Sequence, residues 1–346
     1  SEDLGVITRA AAGAGLDAYA LDPAERDGLV SVHGNRIAFH HPLVRSAVYG
    51  AATSRERRSA HRALADALAS DGAHVDRRAW HLAAAAVDPD EDVVRELDAA
   101  AARAEARGGH VAAARALERA ADLSADPQER ALRLVRAARD MSIAGQDDAA
   151  VAIADRARPG DAPALRADLA VVRATAALRR GLPASGMAAL IDSAEQLAAP
   201  DPGRAVDLLR LAMVAGWQGD GAAAQQRRIA AVLTEVPPTG LTEDARIVAA
   251  SIRALIALVD GEHERGLPAL RAAVDWAAGA GDADDAMWGA WCALWMGDSS
   301  GFETLLDRAA ALARERGQVA TLTEVLGIRA IHLALFARRP SEAAVA

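Results

Sequence analysis

The chain contains no lysine; all 39 of its basic residues are arginine. A phosphate-binding P-loop sets a lysine ammonium on the β- and γ-phosphates, and Schiff-base catalysis needs a lysine amine. Neither is encoded in these 346 residues. Cysteine is nearly absent as well. Cys292 stands alone, which excludes an intrachain disulfide and a thiolate metal cluster. Aromatic residues make up 3%, and no serine lies in a Gly-x-Ser-x-Gly nucleophile elbow. Histidines such as His81, His110, His263 and His332 are scattered, with no His-x-x-x-His pair to hold zinc, so no metal site is expected. No apolar run reaches the length of a membrane span, and no stretch reads as a signal peptide. A cytoplasmic setting without membrane contact is the expectation. With no nucleophile–base constellation in view, the chain is expected not to be an enzyme.

What fills the chain is alanine. Apolar residues reach 52% although aromatics are scarce. Alanine is the strongest helix former and lets helices approach closely, so an all-α fold with tight helix pairs is expected. The formal charge of −9 opposes any grip on a nucleic-acid backbone by these residues themselves.

Residues 1–70 differ from the remainder and read as a small module. Leu29-Val30-Ser31-Val32-His33 and Arg36-Ile37-Ala38-Phe39-His40 alternate around Gly34-Asn35, the pattern of a β-hairpin. Val30, Val32, Ile37 and Phe39 are expected to share its buried face. Helical segments are expected near residues 3–13 and 22–28, and from Leu43 to Tyr49 behind Pro42. Thr53 and Glu56 have capping-box spacing ahead of a helix to about Leu68. Helices with one hairpin give the outline of a winged helix.

Residues 71–346 read as a right-handed helical-repeat solenoid of six to seven helix pairs. Gly109, Gly145, Gly181, Gly219, Gly261 and Gly297 recur at intervals of 36, 36, 38, 42 and 36 residues, with a further turn expected at Arg338-Arg339-Pro340. Each glycine supplies a left-handed residue that ends one helix. Ala113, Ala149, Ala223 and Gly266 then let the next helix fold back. Proline-rich connections fall between pairs at Pro159–Pro163, Pro200–Pro202 and Pro237-Pro238. The period is close to the tetratricopeptide value of about 34; without that repeat's Trp, Leu-Gly and Tyr positions, "tetratricopeptide-like" describes the array.

The stretch Phe39-His40-His41-Pro42-Leu43-Val44-Arg45-Ser46-Ala47-Val48-Tyr49 resembles the Phe-x-His-Pro-Leu-Val-Arg-Ser-Ala-Val-Tyr segment of LuxR-type (MalT-like) large ATP-binding transcriptional regulators. Leu21-Asp22-Pro23-Ala24-Glu25, Gly28-Leu29-Val30, Arg57-Arg58-Ser59-Ala60-His61-Arg62-Ala63-Leu64, Arg78-Ala79-Trp80-His81-Leu82-Ala83 and Ala106-Arg107-Gly108-Gly109-His110 extend the likeness over residues 20–125. Beyond them only the helical period continues it. These regulators resemble signal-transduction ATPases built as an ATPase domain, a winged helix, a helical array and a DNA-binding helix-turn-helix. The resemblance implies that this chain is the middle of such a protein, cut at both ends. ATP or ADP, and DNA contact through a C-terminal domain, would then belong to the parent and not to these residues. The function implied is a sensor and scaffold segment that binds a signal molecule or partner protein and couples it to the ATPase. The alternative is a stand-alone adaptor for protein–protein contacts.

Two residue sets stand out. In related signal-transduction ATPases a winged-helix histidine reaches the bound nucleotide. His41, with Arg45, occupies that stretch, and both side chains are able to donate to phosphate; the competing reading has His41 capping its own helix and Arg45 pairing locally. The second set is Trp276, Trp288, Trp291 and Trp295, four tryptophans within 20 residues. The last three are spaced i, i+3, i+7 on one helix face, with Cys292 beside them. Such a face lines a groove for a small molecule or partner helix, or it fills the core between repeats. Asp282, Asp284 and Asp285 form an acidic knot without calcium-loop spacing, read here as helix N-capping and dipole stabilisation.

Overall fold

A computed structural model of the chain describes residues 3–69, 72–216 and 222–335. They form eighteen α-helices and one antiparallel hairpin, an all-α repeat fold divided into two compact units. One unit combines Ser1–Arg103 with Arg115–Arg133; the other combines Ala104–Ala114 with Leu134–Ala346.

The first unit opens with α1 (Leu4–Gly13), α2 (Asp22–Arg26), β1 (Val30–His33), β2 (Arg36–Phe39), α3 (Pro42–Ala51), α4 (Ser54–Ala67) and α5 (Val75–Ala85). The strands pair Val30 with Phe39 and Val32 with Ile37, and Gly34 turns the chain with a positive φ. The face expected to be buried is only partly so. Val30 is enclosed, but its cross-strand partner Phe39 is 41% exposed. The hairpin tip is tied to α1 by the Leu4 N–H donating to the Asn35 carbonyl at 2.9 Å. Thr53 and Glu56 make both bonds of a capping box at the start of α4. The helix α6 (Glu91–Glu105) and parts of α7 (His110–Leu123) and α8 (Pro127–Ile143) complete the unit. Its core gathers Ala65, Ala79, Leu82, Val94, Leu97 and Leu123.

The second unit continues through α9 (Asp147–Arg156), α10 (Pro163–Arg179), α11 (Pro183–Leu197), α12 (Pro202–Gly216), α13 (Ala222–Glu235), α14 (Glu243–Val259), α15 (His263–Ala278), α16 (Ala283–Trp295), α17 (Ser299–Glu315) and α18 (Val319–Leu335). Each helix packs on the next. In addition α12 touches α14, α14 touches α16 and α16 touches α18, while α11 touches α13 and α15 touches α17. Two layers of alternate helices result. The proline-rich connections lead into α10, α12 and α14, as the sequence indicates.

The turns within pairs repeat one device. At Gly145, Gly181, Gly261 and Gly297 the glycine N–H bonds back three residues, and the following N–H bonds back five, as in Gln146 to the Met141 carbonyl and Asp298 to that of Ala293. This is the Schellman closure, which satisfies the last carbonyls of a helix and needs a left-handed residue. In the first of these turns that residue is Gly108, at φ +69°, and not Gly109. The expected turns at Gly219 and at Arg338-Arg339-Pro340 lie outside the described residues.

Close approach between neighbouring helices also rests on glycine. A Cβ on Gly186 of α11 would sit 2.6 Å from the Ala174 Cα of α10, and one on Gly266 of α15 would sit 2.9 Å from the Ala254 carbonyl oxygen of α14. Arginines then stitch one repeat to the one before. Arg133 grips Asp98 through Nε and Nη2, the latter at 2.9 Å, and Arg228 reaches Asp192 at 2.8 Å. Arg204 pairs with Asp168 through Nη2, and of these pairs Arg133–Asp98 is held at two points. Arginine's planar fork suits this two-point hold on a carboxylate, which a lysine would not match.

Candidate functional site

On α12 the apolar face Val206, Leu209 and Met213 turns into the core, which leaves Asp207 and Arg210, one turn apart, on the opposite side. On α16 the Asp282 side chain caps the helix by accepting from the Asp284 N–H at 2.9 Å. That cap sets Asp284 and Asp285 in the first turn, where the helix dipole favours negative charge. The Arg210 guanidinium then meets the Asp285 carboxylate at 2.5 Å and lies 4.0 Å from Asp207. Two helices that are not neighbours, α12 and α16, are therefore joined across α14 by their side chains.

Other groups converge there electrostatically. Asp284 feels Arg210 and also Arg139 of α8; Glu324 of α18 feels Asp284 and Arg179 of α10. Burial pushes the Asp284 carboxyl above the usual range, and the charge of Asp282 adds to it against the pull of Arg210 and Arg139. Burial likewise raises Glu324, helped by Asp284, and raises Asp207 despite the nearby Arg210 and Arg204. Asp207 and Asp284 are exposed to water, whereas Arg210 and Asp285 are largely enclosed. Burial also works against the Arg210 charge, but Asp285 and Asp207 outweigh it and hold the guanidinium protonated. The strip thus combines a fixed cation with carboxylates that give up their protons reluctantly.

The tryptophans divide. Trp288 is 2% exposed, with its Nε1–H donating to Ser251 Oγ at 3.0 Å and the Ser251 hydroxyl donating in turn to the Val248 carbonyl at 2.7 Å. Cys292 is enclosed beside it, and burial pushes its thiol up to about 12 against a smaller opposing pull from Ser251. Trp291 is half-buried and Trp295 is 42% exposed. Trp276 lies on α15 and donates to Asp244 at 2.7 Å. The four therefore do not line a single open surface.

His41 caps α3: its Nδ1 accepts from the Leu43 N–H at 3.1 Å. With Nδ1 used as an acceptor, the neutral ring carries its proton on Nε2. Arg45 lies one turn further along α3 and is exposed. Leu43, Val48 and Tyr49 on the same helix are also exposed, so the whole of α3 presents itself to the surroundings.

No family model matches the chain, and no curated protein matches it. Among solved structures it is similar to the crystal structure of a signal transduction ATPase with numerous domains, carrying a tetratricopeptide repeat sensor, from Pyrococcus horikoshii. The identity is 13% and the TM-score 0.38, over 96% of this chain and 52% of that one. The chain thus spans about half the length of that protein.

Sequence reasoning did not find the strip around Arg210. It read Asp282, Asp284 and Asp285 as capping and dipole-stabilising residues, which describes their place at the start of α16 but not the contact of Asp285 with Arg210. The residues that meet are 75 positions apart, as Arg210 and Asp285 are, and no spacing rule links them. One signal was present: Asp207 and Arg210 sit on the polar side of a helix flanked by alanines and leucines.

Proposed function

We propose that the chain is the sensor and scaffold segment of a LuxR-type ATP-dependent transcriptional regulator. The strip Arg210, Asp285, Asp284, Asp207 and Glu324 receives the signal, a charged small molecule or a segment of a partner protein. The observation that carries this reading is the convergence of charged side chains from α12, α16 and α18, which are not neighbours in sequence, with the largely enclosed Arg210–Asp285 pair at its centre. Extended concave faces are how repeat arrays bind their ligands. The N-terminal helices and hairpin act as a winged helix that couples binding to an ATPase domain outside this chain. The exposed apolar side of α3 suits that docking, and the Nε2–H of His41 together with Arg45 suits a donor role toward a nucleotide phosphate. In this reading the chain itself is not an enzyme, and ATP, ADP and DNA are bound elsewhere in the parent.

The open reading frame gives the first test: a phosphate-binding loop encoded before residue 1 and a helix-turn-helix after residue 346 are expected, and the absence of both refutes the assignment. In the full-length regulator, Asp284→Asn and Glu324→Gln should abolish signal-dependent ATP turnover while basal turnover and the melting temperature stay at wild-type values. An unchanged signal response in both variants would remove the strip from the sensor.

A further inference from the structure

His110 opens α7, and its ring lies between two oxygens. Nδ1 is 2.8 Å from Asp140 Oδ1 on α8, and Nε2 is 3.1 Å from the main-chain carbonyl of Arg316, 206 residues away in the turn between α17 and α18. The pair is well enclosed, with the His110 and Asp140 side chains 11% and 8% exposed. A carboxylate and a carbonyl only accept hydrogen bonds. A neutral imidazole has one N–H, so it bonds to one of these oxygens and turns a lone pair toward the other. Only the doubly protonated imidazolium satisfies both.

The main chain around the ring makes the same junction independently. Gly108 and Gly317 both have positive φ, +69° and +65°. A Cβ on Gly317 would lie 2.5 Å from the Gly108 carbonyl oxygen, and one on Gly108 would lie 3.1 Å from the Arg316 carbonyl carbon. The two turns touch backbone to backbone, and Gly145, in the following turn, approaches Ala320 at the start of α18.

We propose that His110 is a protonation-gated clasp, tying the turn Gly108–His110 to the turn Arg316–Gly317 as an imidazolium and releasing it on losing a proton. The charged neighbours support a proton on the ring. Asp140 faces it from α8, and Glu105 approaches from the end of α6, where burial and then Asp140 raise the Glu105 carboxyl above its usual range. Arg136 of α8 is turned to Glu105 at 3.3 Å, and the Arg316 guanidinium is turned away to Asp282 at 2.9 Å. Arg107 lies on the turn itself. The hydrogen bond to Asp140 raises His110 above its ordinary value of 6.5; burial opposes this, and the Arg316 carbonyl and the charges of Asp140 and Glu105 add to it. A raised folded value means that the tie is fully present below 6.5 and is lost as pH rises through the folded value. Because α18 carries Glu324, release loosens one wall of the charged strip. The clasp stands whether or not that strip binds a signal.

Hydrogen exchange of the whole chain, followed from about pH 5.5 to 8.5 and corrected for intrinsic rates, reads the clasp directly. In the wild type, protection of the amides at 108–112 and 316–320 should fall with rising pH, by up to about tenfold per unit between the two histidine values, and then level off. In His110→Gln the same amides should exchange at the open level at every pH. Asp140→Asn should move the transition to lower pH, and Gly317→Ala should open the junction regardless of pH. Should the variants fail to fold, ring-carbon NMR of the wild type decides: His110 must titrate above 6.5. Protection that does not change with pH in the wild type, or a ring titrating at or below that value, overturns the proposal.

Discussion

Trp288 and Trp295 lie two turns apart on α16 and have similar side-chain directions, yet they differ in what their loss removes. Trp288 sits among Ile252, Leu255 and Cys292 in the core and uses its only donor on Ser251. Trp288→Ala leaves a cavity and removes the donor to Ser251 Oγ, and should cost about 3–5 kcal/mol. Trp295→Ala, at a site 42% exposed, should change stability by no more than about 0.5 kcal/mol. Thermal unfolding of the two variants checks this, and equal losses would contradict the division of the tryptophan set. Arginine shows a similar dependence on place. Arg133, almost fully enclosed, bonds Asp98 and Ser124, whereas Arg26 lies at the surface, 3.7 Å from Asp22, where such a pair contributes little.

Among the helices the informative residue is glycine. Within a helix, alanine is favoured over glycine by about 1 kcal/mol, so the sign of a Gly→Ala change reports the space at that position. A Cβ on Gly289 of α16 would overlap Ala277 of α15, whereas one on Gly327 of α18 would meet nothing within 4 Å. Gly327→Ala should therefore stabilise by about 0.5–1 kcal/mol, and Gly289→Ala should destabilise by about 1–3 kcal/mol by overpacking. Denaturant midpoints measured on both variants test the helix spacing, and a stabilising Gly289→Ala would mean that α15 and α16 stand further apart than described.

Taken as a whole, the molecule carries two histidine devices with opposite response to pH, one in each unit. In the first unit, His61 and His81 approach through their Nδ1 atoms at 2.9 Å, and Tyr49 lies 3.3 Å from the far side of His61. One ring donates and the other accepts, so a second proton breaks the bond. Burial holds His81 down to about 4, with His61 and Arg77 contributing, and burial also lowers His61. A depressed value gives stability that is present above 6.5 and lost as pH falls toward about 4. His81→Gln should flatten the acid limb of the stability–pH profile followed by circular dichroism, without altering the alkaline response assigned to His110. An acid limb as steep as that of the wild type would show that other groups carry it.

The elements were legible in the amino-acid order. Alanine content and the returning glycines placed the helix pairs and their period, because helix formation and the left-handed stop are local properties of a few neighbouring residues. The alternating runs around Gly34-Asn35 and the Thr53–Glu56 spacing located the hairpin and the capping box for the same reason. Within the first turn, the left-handed position falls on Gly108 and not on Gly109. What the tertiary structure decided was which distant residues meet: Arg210 with Asp285, His110 with the carbonyl of Arg316, Trp288 with Ser251. Such contacts depend on how each pair is rotated against the next, and small angles accumulate over several repeats before two side chains touch. That rotation is set by packing at each interface, by a glycine in one helix against an alanine in its neighbour, and it leaves no periodic mark on the sequence.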